Sequence, residues 1–333
     1  MQLHLNSYGA YLHVKEEMFE VTVKDKGETR TQQVAAHKVK SIWLNTGTAL
    51  SSDAVRLAVR NNIDIVFLEN NGDPIGRVWH TKLGSTTLIR KRQLEASLAA
   101  EALHYTKQWV GAKMDHQMEL MEGLRKHRPQ HHGYLDFQLE AMAALRRQVE
   151  AVTARHVDDV ADSIRGWEGT CGRLYFETVS FVLPEQYQFG GRSFRPAKDA
   201  FNAFLNYAYG VLYARVEKAL MLAGVDPYVG FLHRDDYNYK SMVNDFIEPY
   251  RGYADKTVFT LFSGKKVRQD HTEAIKNGVS LNKEGKALLM EHFNQYLEEE
   301  KVRYKGRQQN RAATIQFDAH QFANELIGKS EPL

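Results

Sequence analysis

IDIVFLENNGDPIGRVWHTKLGSTTLIRKRQLEASLAA, residues 63–100, is the stretch in which the chain changes its period. Ile63-Asp64-Ile65-Val66-Phe67-Leu68 is a short apolar run with the β-branched and aromatic content of a strand. Asn70-Asn71-Gly72-Asp73-Pro74 carries turn chemistry, and Ile75 to Trp79 would return the chain as a second strand. Past Gly84 the strand signals stop. From Thr86 to Ile327 apolar residues recur at helical spacing, in stretches rich in Ala, Leu, Glu, Gln and Arg. A domain boundary is therefore expected near residues 80–86.

Toward the N-terminus, Leu3 and Leu5 alternate with polar neighbours, Tyr11 to Val14 follows a Gly turn, and Phe19 to Val23 alternates cleanly. A further run, Val39 to Leu44, leads to Gly47 and to Ser51-Ser52-Asp53, which is N-cap chemistry. Val55, Ala58 and Val59 then fall on one helical face. Toward the C-terminus, short breaks in the helical pattern fall at 127–133, 183–196, 224–227 and 263–278. The fold class read from this is α+β. A small β-rich domain with one helix spans residues 1–83, a larger all-α domain spans 84–327, and a loose tail covers 328–333.

The balance of 43% hydrophobic and 26% charged residues in 333 is that of a globular chain with room for two cores. One cysteine, Cys171, excludes an internal disulfide and fits a reducing, cytoplasmic setting; among small neighbours it reads as a packing thiol. MQLHLNSYGAYLHV has no basic start followed by an apolar core, so no secretory signal is expected. Residues 200–225 are apolar enough to suggest a membrane span by length. Asn202, Asn206, Arg215, Glu217 and Lys218 interrupt them at a high cost in lipid, so a buried helix is expected and no membrane attachment. A net charge of +3 does not announce a nucleic-acid binder. Basic clusters at Arg90 to Arg92, Arg125-Lys126, Arg192 to Lys198, Lys265 to Arg268 and Lys301 to Arg311 are more telling. The last, KVRYKGRQQNR, reads either as a DNA contact or as a solvated helix face after the acidic run Glu298 to Glu300.

No GxSxG, GxGxxG or P-loop is present. KHRPQHHGY, with His127, His131 and His132, reads as a solvated loop. The informative segment is GVDPYVGFLHRDDYNYKSMVNDFIEPYR, residues 224–251. His233 closes a short apolar run, and Ser241 would cap a helix on which Asp245, Glu248 and Arg251 stand three apart. Carboxylates beside a histidine, without thiolates, suit Mg²⁺ or Mn²⁺, and the imidazole tilts the choice toward Mn²⁺. Arg251 would bring positive charge near a bound phosphate. Surface positions and a backbone-satisfied histidine remain the alternative at this level. A third ligand must come from elsewhere, and Glu168, beside Trp167 on an apolar helix, is a candidate because an unpartnered buried carboxylate is costly.

Taken in order, LNSYGAYLHV, GTALSSDAVRLAVRNNIDIVFLENNGDPIGRV, LIRKRQ, WEG, FRPAKDAFNAFLNYAYGVL, GVDPYVGFLH and DFIEPYR resemble the CRISPR-associated spacer-integrase family over nearly the whole chain. The resemblance implies that Glu168, His233 and Glu248 are catalytic metal ligands, with Asp245 and Arg251 close by. It further implies Mg²⁺ or Mn²⁺ as cofactor, double-stranded DNA as substrate, a homodimer formed through the N-terminal domain, and a small ferredoxin-like partner bridging two dimers. The implied reaction inserts short DNA fragments into a CRISPR array by 3′-hydroxyl attack on a phosphodiester. Two departures are local: Cys171-Gly172 stands where alanine-like residues are common, and the turn at 235–240 lacks a frequent glycine. The rival readings are a general metal-dependent DNA repair nuclease and a non-catalytic DNA-binding scaffold.

Overall fold

The structure is a computed structural model that describes residues 1–25, 28–69, 74–78, 86–233 and 239–329. The expected turn at 70–73, the stretch 79–85, most of the turn after His233 and the tail from 330 lie outside the described residues. Two compact units divide the chain, Met1–Leu83 and Gly84–Leu333.

The first unit runs β1 (Gln2–Leu5), β2 (Tyr11–Lys15), β3 (Met18–Asp25), β4 (Glu28–Ala35), β5 (Ser41–Asn45), β6 (Ala49–Leu50), α1 (Ser52–Arg60), β7 (Asp64–Leu68) and β8 (Pro74–Val78). It forms two four-stranded sheets, ordered β1-β5-β7-β8 and β4-β3-β2-β6. β1, β5 and β7 are parallel, β7 and β8 antiparallel, and β2, β3 and β4 form an antiparallel meander. Register follows the alternation: Leu12 faces Val21 and Val14 faces Phe19 across β2 and β3. Leu12, Phe19, Ile42, Ile65, Ala54 and Ala58 join both sheets and α1 in one core. Each large side chain so buried contributes about 1.5–3 kcal/mol. α1 starts where the cap chemistry lies, with Ser51 Oγ accepting from Ala54 N–H at 3.1 Å.

The second unit is largely helical: α2 (Thr86–Ser97), α3 (Ala100–Lys126), α4 (His132–Ala151), α5 (Ala161–Val182), α6 (Ala200–Ala223), α7 (Ser241–Phe246) and α8 (Arg251–Ser263), then α9 (Lys283–Asn294) and α10 (Arg311–Leu326). Two hairpins interrupt it, β9 (Thr272–Ile275) with β10 (Gly278–Leu281) and β11 (Lys301–Tyr304) with β12 (Arg307–Asn310). The second replaces the helix face considered for KVRYKGRQQNR. Its turn is Lys305-Gly306, both at positive φ, a pair that returns a strand tightly.

α6 is buried on nearly every side, from Phe201 to Ala223. Asp199 caps it, accepting from Asn202 N–H at 2.8 Å, and Gly224 ends it at φ 85°. Its polar residues are paired inside the protein. Arg192 donates to Asn202 Oδ1 at 2.6 Å and to Asn206 Oδ1 at 2.8 Å. Arg215 pairs with Glu298 at 2.5 Å and Glu217 with Lys240 at 2.8 Å. Among the described residues no helix is long and apolar enough to cross a membrane.

Candidate metal centre

The site is assembled from α3, α5 and the chain between α6 and α8. Ser241 is the first residue of α7 rather than its cap, since Lys240 holds that position. The helix also does not run on through Arg251. Pro249, which has no N–H to donate, sits in a 3₁₀ turn at Glu248–Tyr250, and α8 begins afterwards. Asp245 and Glu248 consequently serve different neighbours.

Asp245, only 3% exposed, turns back onto the segment before it. Its Oδ2 accepts from Phe231 N–H at 2.6 Å and Leu232 N–H at 3.1 Å, and its Oδ1 accepts from His233 N–H at 3.2 Å. The same Oδ1 lies 2.6 Å from His233 Nδ1. With Nδ1–H donating to a carboxylate, the neutral ring offers Nε2 to a ligand, the arrangement common behind metal-binding histidines. Burial pulls the His233 pKa down, but the Asp245 hydrogen bond and the charges of Asp245, Glu248 and Glu168 outweigh it and hold it above the ordinary value. Gly230 lets this loop close: a Cβ there would collide with the His233 carbonyl oxygen and the Ser241 side chain. Gln93 on α2 donates to the carbonyls of Asp226 and Val229 at 2.9 and 2.8 Å, and Arg165 on α5 donates to that of Leu232 at 2.8 Å.

Glu248, 2% exposed, faces the other way. Its Oε1 accepts from Arg251 Nε at 2.8 Å. Its Oε2 lies 2.7 Å from Lys113 Nζ on α3, yet accepts no hydrogen bond of acceptable geometry. The Lys113 ammonium also pairs with Glu168 Oε1 on α5. Burial would raise the Glu248 pKa, but Arg251 and Lys113 override it and hold the carboxyl well below the usual range. Arg251 stacks on the Tyr209 ring at 5.0 Å, as does Arg192 at 5.4 Å, and the Tyr209 hydroxyl donates to Asp255 at 2.5 Å. Burial pushes Asp255 up to about 6 against the pull of Tyr209, Arg251, Arg192 and Lys113.

Of the residues singled out in the sequence, Glu168 and Glu248 share one cation, and Asp245 holds His233 beside them. Among the described residues no three His, Cys, Asp or Glu side chains stand close enough as placed to hold an ion together. Lys113 is what lies between the two glutamates. The donor set still fits a hard divalent ion: two carboxylates, an imidazole nitrogen directed by its Asp245 bond, and a buried Glu248 oxygen without a hydrogen bond. Cys171 is buried, and burial pushes its thiol up to about 12, as expected of a packing thiol. Lys113, Arg165 and Gln93 were not visible from the sequence, since each occupies an unremarkable helical position.

A family model described as CRISPR associated protein Cas1 matches residues 3–295. The chain belongs to the Cas1 family. A CRISPR-associated endonuclease Cas1 of Archaeoglobus fulgidus is 32% identical, the match covering 99% of this chain and 97% of the relative. A second, from Thermus thermophilus, is 28% identical over 99% of this chain and 97% of its own. Among solved structures, a casposase bound to its integration product superposes with a TM-score of 0.84 at 22% identity, covering 100% of this chain and 92% of the casposase. A Cas1 protein from Thermotoga maritima gives 0.81 at 19% identity, covering 99% and 98%. A Cas6-RT-Cas1–Cas2 complex gives 0.78 at 19% identity, with 99% of this chain matching 35% of that one. These low-identity likenesses establish the Cas1 fold.

Proposed function

We propose that this Cas1 protein is a metal-dependent DNA endonuclease and strand-transferase that inserts short duplexes into a CRISPR array. The observation that carries the reading is the pairing of Glu168 and Glu248 around one cation, with His233 oriented beside them by Asp245. Mg²⁺ or Mn²⁺ held by Glu168, His233 and Glu248 would supply Lewis-acid stabilisation of a phosphodiester under attack.

The chain's own groups do the positioning. Asp245 fixes the tautomer and direction of His233 while anchoring the backbone of 231–233. Arg251 holds the Glu248 carboxylate ionised and in place. A 3′-hydroxyl attacking a target phosphodiester forms a new P–O bond as the target-strand 3′-oxygen leaves, which joins the strands; water in its place cleaves the same bond without joining. Dimerisation through residues 1–83 and a small ferredoxin-like partner belong to this proposal, as does double-stranded DNA as substrate. The names of the structural neighbours, an integration product and a Cas1–Cas2 complex, support it.

Much of the basic charge is already paired: Arg92 with Glu95, Arg125 with Asp136, Arg268 with Asp270, Lys305 with Asp318 and Arg311 with Glu300. The first three pairs are exposed on both sides and therefore weak, so DNA phosphates can compete for those cations and binding should fall with salt. The deciding assay is transfer of a labelled duplex with a free 3′-hydroxyl into a plasmid bearing a CRISPR repeat, in Mn²⁺, Mg²⁺ or EDTA. Metal-dependent joining at repeat ends, lost in Glu168→Ala and His233→Ala, is the expected result. Cleavage without joining would favour a repair nuclease, and binding without either reaction a scaffold.

A further inference from the structure

Among the described residues Lys113 is the one side chain paired with both glutamates assigned to the metal, and it and Arg251 hold Glu248 in different ways. Arg251 makes a directional hydrogen bond to Oε1 at 2.8 Å and is backed by the Tyr209 ring at 5.0 Å. Lys113 lies 2.7 Å from Oε2, where its contact is chiefly one of charge, and gives its directed hydrogen bond to Glu168 Oε1. It hangs on a flexible four-carbon stem from α3, and its side chain keeps 13% of its surface in solvent. Of the two cations, Lys113 is the less braced, having a flexible stem and, among the described residues, no ring stacked on it.

The charges of the four groups cancel: Lys113 and Arg251 against Glu168 and Glu248. A divalent ion added among them with Lys113 in place would leave two uncompensated positive charges in a poorly solvated site, and the ammonium would compete for the same oxygens. A DNA phosphate at the mouth of the site changes both facts. It supplies negative charge and gives a lysine, a compact donor well suited to phosphate, somewhere else to bind.

We propose that Lys113 is a displaceable internal cation that couples DNA binding to metal binding. In the free protein it occupies Glu168 and Glu248. A backbone phosphate of bound DNA draws it away and releases both carboxylates to the divalent ion. The proposal rests on the reading of Glu168 and Glu248 as metal ligands given above. Lys113 is in this sense a positioning residue, and the site binds metal strongly only when substrate is present. Coupling of this sort is reciprocal, so metal should tighten DNA binding by the same factor.

The test is Mn²⁺ affinity, followed by electron paramagnetic resonance with the duplex-only signal subtracted, in wild type, Lys113→Met, Lys113→Arg and Glu168→Gln. In wild type, a short duplex should tighten the site's Mn²⁺ affinity about tenfold. Lys113→Met should bind Mn²⁺ about tenfold more tightly than wild type without DNA, and the duplex should add little. Lys113→Arg retains the competing charge and should restore weak, DNA-responsive binding, which loss of packing alone would not do. A wild-type Mn²⁺ site that Glu168→Gln abolishes but DNA leaves unchanged would overturn the role of Lys113 and spare the ligand assignment. Absence of any Glu168-dependent Mn²⁺ binding, with or without DNA, would overturn the ligand assignment itself. Should Lys113→Met not fold, the wild-type comparison with and without duplex still decides.

Discussion

The two halves of the candidate centre are built on opposite principles. The His233 half is short-range and stiff: one carboxylate, Asp245, spends its two oxygens on three successive backbone N–H groups and one ring nitrogen. The glutamate half is long-range and soft. It joins Glu168, Glu248, Lys113 and Arg251 from α5, the 3₁₀ turn, α3 and α8 through side chains alone. The difference separates orientation from response. A backbone-anchored carboxylate fixes the direction of a ligand, whereas a cluster that includes a lysine on a flexible stem has a cation it can exchange for another.

The largest way to break the comparison is Asp245→Ala. It leaves the buried N–H groups of Phe231 and Leu232 without an acceptor and frees the His233 ring. A loss of about 5 kcal/mol in urea unfolding is expected, together with loss of Mn²⁺ binding. A loss under about 1 kcal/mol would mean that the loop is held by Gln93 and Arg165 instead. Glu248→Ala strikes the soft half and leaves two cations short of a partner. It should cost about 4 kcal/mol in the metal-free protein and abolish strand transfer. Raised salt should recover part of the stability, because counterions can replace the missing charge only where the cluster is pliant.

A pH series sharpens the picture behind Arg251. The Asp255 carboxyl is raised from 3.8 to about 6, mainly by burial, so the folded state binds its proton more tightly than the unfolded state does. The stability this group contributes is complete below about 3.8 and is lost as pH rises through about 6. Wild type should therefore lose about 3 kcal/mol from this residue between those limits, and Asp255→Asn should flatten that part of the curve. An unchanged slope in the variant would assign the pH dependence elsewhere. The smallest effect is expected for Cys171→Ala, whose thiol bonds Gln117 rather than any group of the centre. A cost of about 1 kcal/mol and unchanged metal binding should result, and thiol reagents should react slowly with the folded protein.

What could be read from the sequence follows from how far apart the interacting residues lie. β2, β3, β5 and β7 declare themselves through local alternation or apolar runs, and α1 through its cap. β4, ETRTQQVA, is too polar for its pattern to stand out, and its pairing with β3 supplies what the pattern lacks. The hairpin at 301–310 was hidden by charge, although Lys305-Gly306 between two short polar runs is a turn signal. In the site, Glu168, His233 and Glu248 were recognisable through ordered motifs, whereas Lys113 was not. A lysine in a regular helical pattern looks solvated until residues 55 and 135 positions away are brought to it by the fold. The Asp245 role was also obscured, because three-residue spacing suggested a single helix face that Pro249 interrupts.

α6, buried on nearly every side, also sets the order in which the second unit can come apart. Its amide protons have almost no path to solvent while the surrounding helices are in place, so they should exchange with deuterium only through cooperative opening of that unit. The β11–β12 hairpin, whose strands are mostly polar and carry no buried residue, should by contrast open and exchange early. A breathing motion at the rim would then leave the helix beneath the site untouched, and the protein can loosen its grip at the edge without melting its centre.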